Sequence, residues 1–406
     1  MTGAAPASTR AARDRTGGWA LALVLAALTV GRLTYLAAGT LDLSPDEAHY
    51  WEWSRRLDLS YYSKGPLVAY AIRGLTALLG DSAFAIRSGA AALSLVGAWA
   101  LYRLGSETFG RAAPGALAVI GLQLTPLVWA GSLLMTIDSP FLVLWSLLLL
   151  ALHRALTCGS ITAWMGAGLA LGLGVLAKYT ALFAVPGVAL YLWRAPEARR
   201  VLRQPGPCLA ALVALVVVSP VLVWNARQGW ISARHVASQG RGGGLTLGHL
   251  VDFVGSQVGV LTPLVAGLLA WGAWHALREG LGRGREPYRF LAAFGIPILA
   301  FYLVVALQGK VQANWAAAAY PSLAIATAGL LLERRAAATP RGRRAQNWLL
   351  GATAGLALLV SLVGHVPDRL GLPPRLDPTL RLRGWRELGA RVAELRAGMP
   401  EPDRTF

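Results

Sequence analysis

Long apolar runs recur along the whole sequence, and they constrain the fold more than any other feature. Each run has about 17–25 residues, enough for an α-helix to cross the hydrocarbon layer of a bilayer. Unpaired strands are excluded, because lipid offers no partners for their backbone groups. Hydrophobic residues make up 55% of the 406 residues and charged residues only 14%, which is too apolar for a soluble domain. The pattern predicts an all-α polytopic membrane protein.

The positions of these runs predict eleven membrane-crossing helices. The fifth and sixth are separated only around Lys178, so one broken or re-entrant unit is an alternative for that pair. An odd number of crossings places the two termini on opposite sides of the membrane. The predicted spans are 18–39, 83–104, 113–133, 139–157, 161–177, 179–193, 208–225, 256–277, 289–308, 315–332 and 346–366.

The distribution of arginine predicts the orientation of the chain. The net charge is +18, but the basic residues flank apolar runs and form no aromatic-interleaved basic face, so nucleic acid is not an expected partner. Under the positive-inside rule the N-terminus, Cys158 and Cys208 are cytoplasmic, where thiols stay reduced. The regions expected outside are 40–82, 134–138, 226–255, 309–314 and the tail from residue 366.

The sequence divides into one membrane domain and a tail. Residues 1–366 form the membrane domain, whose outer loop, 40–82, is expected to carry short helices next to the membrane. Residues 367–406 form an external tail with a short surface helix at Leu382–Leu395, where Leu and Val recur at helical spacing. We expect this tail to be either a short terminus or the start of a truncated outer domain.

Three carboxylates next to predicted membrane ends are candidates for catalysis. Asp46 and Glu47 follow the first span closely, and Asp138 begins the fourth. Acidic residues at such positions usually serve chemistry or ion passage, although each could also simply favour a helix N-terminus. Asp46 could act as a general base. The three together could bind a divalent cation through oxygen ligands, and no other cofactor is expected.

Two lysines on the same predicted face are candidates for binding phosphate. Lys64 follows a tyrosine pair in the outer loop, and Lys178 is the only charged residue between Arg154 and Arg194. Lysine binds phosphate as a point charge, although Lys178 could instead be a snorkelling anchor. The two tyrosines could stack on a sugar or mark the aromatic belt. The other candidate substrate-binding residues are Tyr61, Tyr62, Lys310 and Asn314.

Five segments together carry a family resemblance. The loop stretches 43–51 and 61–67 resemble the first outer loop of family 39-like glycosyltransferases, and stretches 136–140, 172–178 and 310–315 fit the same pattern. This family includes protein O-mannosyltransferases and the bacterial lipid A aminoarabinose and galacturonic acid transferases. The resemblance departs at Ser63 and Gly65, where the family often has an acid before the loop lysine and two prolines after it.

The resemblance implies a GT-C bundle in the bacterial cytoplasmic membrane, with its active site on the outer side. It implies a polyprenyl-phosphate-linked sugar donor, a lipid, glycan or protein acceptor, and inversion at the anomeric carbon. In that scheme Asp46 is the base, and Lys64 and Lys178 hold the lipid phosphate. We also expect Glu47 and Asp138 to orient substrate or bind a cation. A lipid-linked sugar flippase or secondary transporter is the alternative, although it predicts charges near the bilayer midplane.

Overall fold

The computed structural model describes residues 7–39, 41–239, 244–365, 370–371, 373, 377 and 379–399. Within these ranges all regular structure is helical. The α-helices, numbered α1 to α17 in order, are Ala7–Ala37, Pro45–Arg55, Leu67–Leu79, Ala83–Phe109, Ala112–Gln123, Pro126–Gly131, Asp138–Cys158, Ile161–Ala177, Ala184–Arg194, Gly206–Arg227, Ile231–Gln239, Leu247–Leu261, Pro263–Ala276, Tyr288–Val305, Tyr320–Ala337, Pro340–His365 and Trp385–Ala397. Short 3₁₀ or π segments are Tyr179–Phe183, Pro196–Arg203, Leu277–Gly282, Trp315–Ala319 and Leu380–Leu382.

Within the described residues, seven helices are long and apolar enough to cross a membrane, which confirms a multi-pass helical protein. An eighth candidate is the pair Leu247–Leu261 and Pro263–Gly282, which is bent by 110° at the break between its halves. The number of eleven crossings stays a prediction, because the remaining apolar helices are shorter or broken. The seven long candidates are Gly17–Ala37, Ala83–Phe109, Asp138–Cys158, Gly206–Arg227, Tyr288–Val305, Trp315–Ala337 and Pro340–His365.

The breaks in the other predicted spans coincide with particular residues. The predicted span 113–133 is divided between α5 and α6, and α6 begins at Pro126 behind the N-cap Thr125. The predicted span 256–277 crosses the bend before Pro263. Proline lacks a backbone N–H and disfavours helical geometry in the residue before it, so a helix restarts there. The span predicted at 179–193 begins as a 3₁₀ turn before α9.

The bundle has a buried centre and a lipid-facing periphery. In the span that includes α15, 89% of the residues of its apolar window are buried in the protein. In the spans of α10 and α16 this share is 17% each. Helices α7 and α8 pack as an antiparallel pair across a turn at Gly159. Helix α8 also packs on α10, and a Cβ at Gly168 would lie 2.3 Å from the carbonyl oxygen of Ala210. A small residue permits this close approach.

Two sets of contacts mark the two ends of the bundle. Contacts at one end join segments that are far apart in sequence: Trp224 Nε1 donates to Asp58 at 2.8 Å, and Tyr62 meets His235 at 3.1 Å. At the other end arginines pair with glutamates, as in the contact between Arg154 and Glu107 at 2.6 Å. We call the first the substrate end, because the candidate substrate-binding residues Tyr62 and Lys64 lie there, and the second the arginine end.

Candidate active site

Helix α2 presents two neighbouring carboxylates in opposite environments. Its N-cap Ser44 forms a capping box with Glu47, so the interpretation of this segment as a helix start is confirmed. Glu47 has no solvent exposure. Its carboxylate accepts hydrogen bonds from the backbone N–H groups of Ser44 at 2.9 Å and Met135 at 3.0 Å. Asp46 is exposed at the helix surface.

Glu47 also forms a bidentate ion pair with Arg87, a residue that the sequence reading missed. The guanidinium donates to the two carboxylate oxygens at 2.9 and 2.8 Å, and to the carbonyl oxygens of Leu41 and Asp42 at 3.1 and 2.7 Å. Both side chains are almost fully buried. The sequence feature that could have pointed to Arg87 is its position as an arginine near the start of a long apolar run. Because its oxygens are engaged in this way, Glu47 ties α2 to α4 and to the backbone at Met135. Its predicted role at the substrate stays a prediction.

Asp138 lies at the centre of a buried polar cluster. It begins α7, and Lys178 follows the last residue of α8; the antiparallel packing of these helices brings both to the substrate end. Lys178 Nζ lies 2.7 Å from one Asp138 oxygen, and Asn314 Nδ2 donates to the other at 2.6 Å. The structure thus joins three residues from separate predicted site segments. Lys310, four residues before Asn314 in the sequence, is exposed to solvent.

Lys64 lies on a loop that is pressed against the end of α8. A Cβ at Gly65 would lie 2.1 Å from the carbonyl oxygen of Leu176, two residues before Lys178. Burial lowers the pKa of Lys64, and the charge of Lys178 lowers it further, while Asp138 and Asp46 oppose the shift. The glycine that departs from the family pattern is what allows this loop to pass so close to α8.

Tyr50 lies within electrostatic range of two candidate carboxylates. Burial raises the pKa of Tyr50, and the negative charges of Asp46 and Asp138 raise it further. Asp46 also influences the pKa of Lys64. Both carboxylates thus act on Tyr50 and Lys64, although Asp46 is exposed and Asp138 is buried.

Two cavities meet at the Lys178–Asp138 pair. One, of about 310 Å³, is lined by Lys64 and Lys178 together with aromatic and aliphatic side chains. The other, of about 490 Å³, is mostly apolar and is lined by Asp138 and Asn314 on its polar side. Because each member of the ion pair lines a different cavity, the pair lies at the boundary between them.

The two tyrosines of the loop have different environments. Tyr61 stacks on Trp53 with ring centroids 4.2 Å apart, and its hydroxyl donates to the Trp53 carbonyl oxygen at 3.0 Å. It therefore supports the loop. Tyr62 is 52% exposed, and its ring packs against His235. Of the pair, Tyr62 is the one that presents a ring to solvent.

The three candidate carboxylates do not form a metal site in the described structure. Among the described residues, no three His, Cys, Asp or Glu side chains are grouped so that they could hold a metal ion. Glu47 forms its buried ion pair with Arg87, and Asp138 is held by the side chains of Lys178 and Asn314. We therefore assign no cation to Asp46, Glu47 and Asp138 jointly.

Comparison with known sequences identifies relatives of this chain. A protein-family profile described as dolichyl-phosphate-mannose-protein mannosyltransferase matches residues 63–224. Lipid A galacturonosyltransferase RgtD of Rhizobium johnstonii is 30% identical over 376 residues, which cover 92% of this chain and 77% of that protein. The undecaprenyl phosphate-alpha-4-amino-4-deoxy-L-arabinose arabinosyl transferase of Erwinia tasmaniensis is 29% identical over 203 residues, covering 45% of this chain and 36% of that protein.

Solved structures match over most of the chain. ArnT from Cupriavidus metallidurans bound to undecaprenyl phosphate superposes with a TM-score of 0.68 at 19% identity, covering 93% of this chain and 72% of that one. The archaeal oligosaccharyltransferase AglB from Archaeoglobus fulgidus gives 0.57 at 13% identity, covering 90% and 55%. These likenesses show that the fold is of the GT-C type.

Proposed function

The chain belongs to the membrane glycosyltransferase family of the Rhizobium johnstonii lipid A galacturonosyltransferase, and we propose that it moves a sugar from a polyprenyl phosphate to a lipid acceptor. Glycans and proteins are the alternative acceptors. The observation that carries the proposal is the Lys178–Asp138 pair at the boundary of two cavities, with Lys64 beside it. We place this site at the outer face of the bacterial cytoplasmic membrane, with the N-terminus inside.

The cavity with the two lysines suits the donor. A phosphate there would meet two ammonium groups, one of them partly neutralised by Asp138. Lys64 supplies the positive charge that this pairing removes. The rest of the lining is mostly apolar and includes Phe183 and Phe301, which suits the start of a polyprenyl chain. The relative ArnT has been solved with undecaprenyl phosphate bound, which supports this class of donor.

The larger cavity suits an amphipathic acceptor. Its wall is mainly aliphatic and aromatic, and its polar groups include Asp138, Asn314 and Thr136. An acyl chain fits such a wall, while the sugar or hydroxyl of the acceptor would approach the boundary with the donor cavity. The named activity of the galacturonosyltransferase, on lipid A, agrees with a lipid acceptor.

The proposed reaction is a single displacement. The acceptor oxygen bonds to the anomeric carbon as the bond from that carbon to the phosphate oxygen breaks, and the acceptor proton passes to Asp46. Polyprenyl phosphate leaves with the bonding electron pair, and Lys64 and Lys178 stabilise its charge. Asp138 orients Lys178 and Asn314, because its oxygens already accept bonds from both side chains. Attack from the face opposite the phosphate inverts the anomeric centre.

Transfer assays on single variants test these roles. Purified protein in liposomes would receive radiolabelled polyprenyl phosphate sugar and lipid, glycan or peptide acceptors. Asp46→Asn is expected to lower kcat by about 10²- to 10⁴-fold, the usual contribution of a general base, while donor binding is retained. Asp81→Asn is the matched control, since that exposed carboxylate lies in the same region and contacts Trp51 and Arg55.

Each possible outcome discriminates between hypotheses. Undiminished transfer by Asp46→Asn would remove Asp46 as the base. Release of free sugar without an acceptor product would indicate hydrolysis of the donor. Movement of the labelled donor across the bilayer without any transfer would instead favour a flippase.

A further inference from the structure

The C-terminal helix α17 has an apolar stripe that no other part of the described structure buries. Trp385, Leu388, Val392 and Leu395 are 47–54% exposed, and none of the residues of this helix is buried. At 100° per residue these four side chains fall within an arc of about 80°. A continuous stripe on a helix of this length is typical of a face that packs against an apolar phase.

The helix is fixed at the level where α1 leaves the membrane. Asp42 follows the last residue of α1 by five positions, and its carboxylate accepts hydrogen bonds from the backbone N–H groups of Trp385 at 3.0 Å and Arg386 at 3.3 Å. The N–H of Asp42 in turn donates to the carbonyl oxygen of Leu382 at 2.8 Å. These bonds satisfy N-terminal donors of α17 and hold the start of this helix close to the end of α1.

The charges around the stripe match an anionic surface. Residues 380–397 contain five arginines and two glutamates, a net charge of +3. On the helical projection Arg391 and Arg396 flank the stripe, so positive charge lies at both of its borders. Arg391 also pairs with Glu394 at 2.9 Å. An amphipathic helix with Trp and Leu on one face and arginines at its borders is the pattern of an interfacial helix.

We propose that α17 lies in the membrane interface at the substrate end, with Trp385, Leu388, Val392 and Leu395 inserted among anionic lipids. The apolar stripe thus contacts the same bilayer that α1 crosses, and this contact continues the membrane-facing surface of α1. The helix would brace the loop around Asp42, whose carbonyl oxygen also accepts a bond from Arg87 beneath the site.

Fluorescence quenching on the whole chain tests the insertion. In a background with Cys158→Ser and Cys208→Ser, a fluorophore would be attached at Val392→Cys, inside the stripe, or at Ala390→Cys, on the opposite face. The protein would be reconstituted in phosphatidylethanolamine–phosphatidylglycerol vesicles. We expect lipid nitroxide to quench the Val392→Cys probe several-fold more than the Ala390→Cys probe, and aqueous iodide to show the reverse preference. Leu388→Cys provides a second stripe position if the first variant fails to fold.

Other results would overturn the proposal. Equal iodide quenching at both positions would place the helix in water. Protection of the Val392→Cys probe from both quenchers would mean that protein, from another part of the chain or a second copy, covers the stripe. Replacing phosphatidylglycerol with phosphatidylcholine is expected to reduce nitroxide quenching at Val392→Cys, and unchanged quenching would remove the role of anionic lipid.

Discussion

At the scale of single residues, the buried pair of Glu47 and Arg87 carries a testable cost. Removing one partner leaves an uncompensated charge in a site with almost no solvent contact, which typically destabilises a protein by about 3–5 kcal/mol. We therefore expect Glu47→Gln to lower the thermal unfolding midpoint in detergent strongly. We expect the double variant Glu47→Gln/Arg87→Met to be less destabilised than Glu47→Gln alone, because the charge is gone.

Glu52→Gln is the control for this prediction. Glu52 lies on the same helix and pairs with Arg56 at 3.7 Å, but both side chains are largely exposed. Exposed pairs contribute less than about 1 kcal/mol, so the midpoint should barely move. Equal effects of Glu47→Gln and Glu52→Gln on the midpoint would contradict the stabilising role of the buried Glu47–Arg87 pair.

Lys64 should give donor binding a pH dependence. Its pKa lies below the ordinary value of 10.5 because of burial and of Lys178, and the ammonium is the form that attracts phosphate. Affinity for polyprenyl phosphate is therefore expected to be highest below this lowered pKa and to fall as the pH rises through it. Lys64→Arg stays protonated and should retain its affinity over that range. Titration of binding against pH checks this, and identical declines in both proteins would exclude Lys64 as the titrating group.

At the scale of elements, the contact between the Lys64 loop and α8 depends on the lack of a side chain at Gly65. Gly65→Ala would place a methyl group 2.1 Å from a backbone oxygen, so the loop must move away from Lys178. We expect weaker donor binding with the fold retained, measured as a raised Kd for polyprenyl phosphate. Gly74→Ala on α3 has open space around it and should bind normally. Unchanged binding by Gly65→Ala would show that the spacing of the lysines does not matter.

Local sequence rules predicted some elements well and others poorly. The capped start of α2 and the long apolar helices were predictable, since a Ser–Pro–Asp–Glu stretch and a continuous run of about 20 residues each depend on local preferences. The direction of the Glu47 side chain was not. Its position depends on Arg87 and on a backbone group of Met135, which lie 40 and 88 positions further along the chain. The same holds for the partner of Lys178, which only the packing of α7 on α8 identifies.

At the scale of the whole molecule, the sequence predicted that four connecting regions share one face. The contacts between Asp138 and Asn314, between Met135 and Glu47, and between His235 and Tyr62 bring these regions together at the substrate end. The charge pattern could predict this because alternate connections of a bundle lie at the same end. It could not predict the two cavities, whose walls come from helices that are far apart in sequence.

The orientation of the bundle can be tested with its own cysteines. Cys158 ends α7 and Cys208 lies near the start of α10; both are exposed, and both lie at helix ends away from the substrate end. Because arginine-rich connections stay in the cytoplasm, we expect a membrane-impermeant thiol reagent to label neither cysteine in intact cells and both after permeabilisation. Leu59→Cys, in a background lacking both natural cysteines, should be labelled from outside, since that residue is exposed beside Asp58 in the outer loop. The opposite labelling pattern would invert the bundle and place the proposed sugar transfer on the cytoplasmic side.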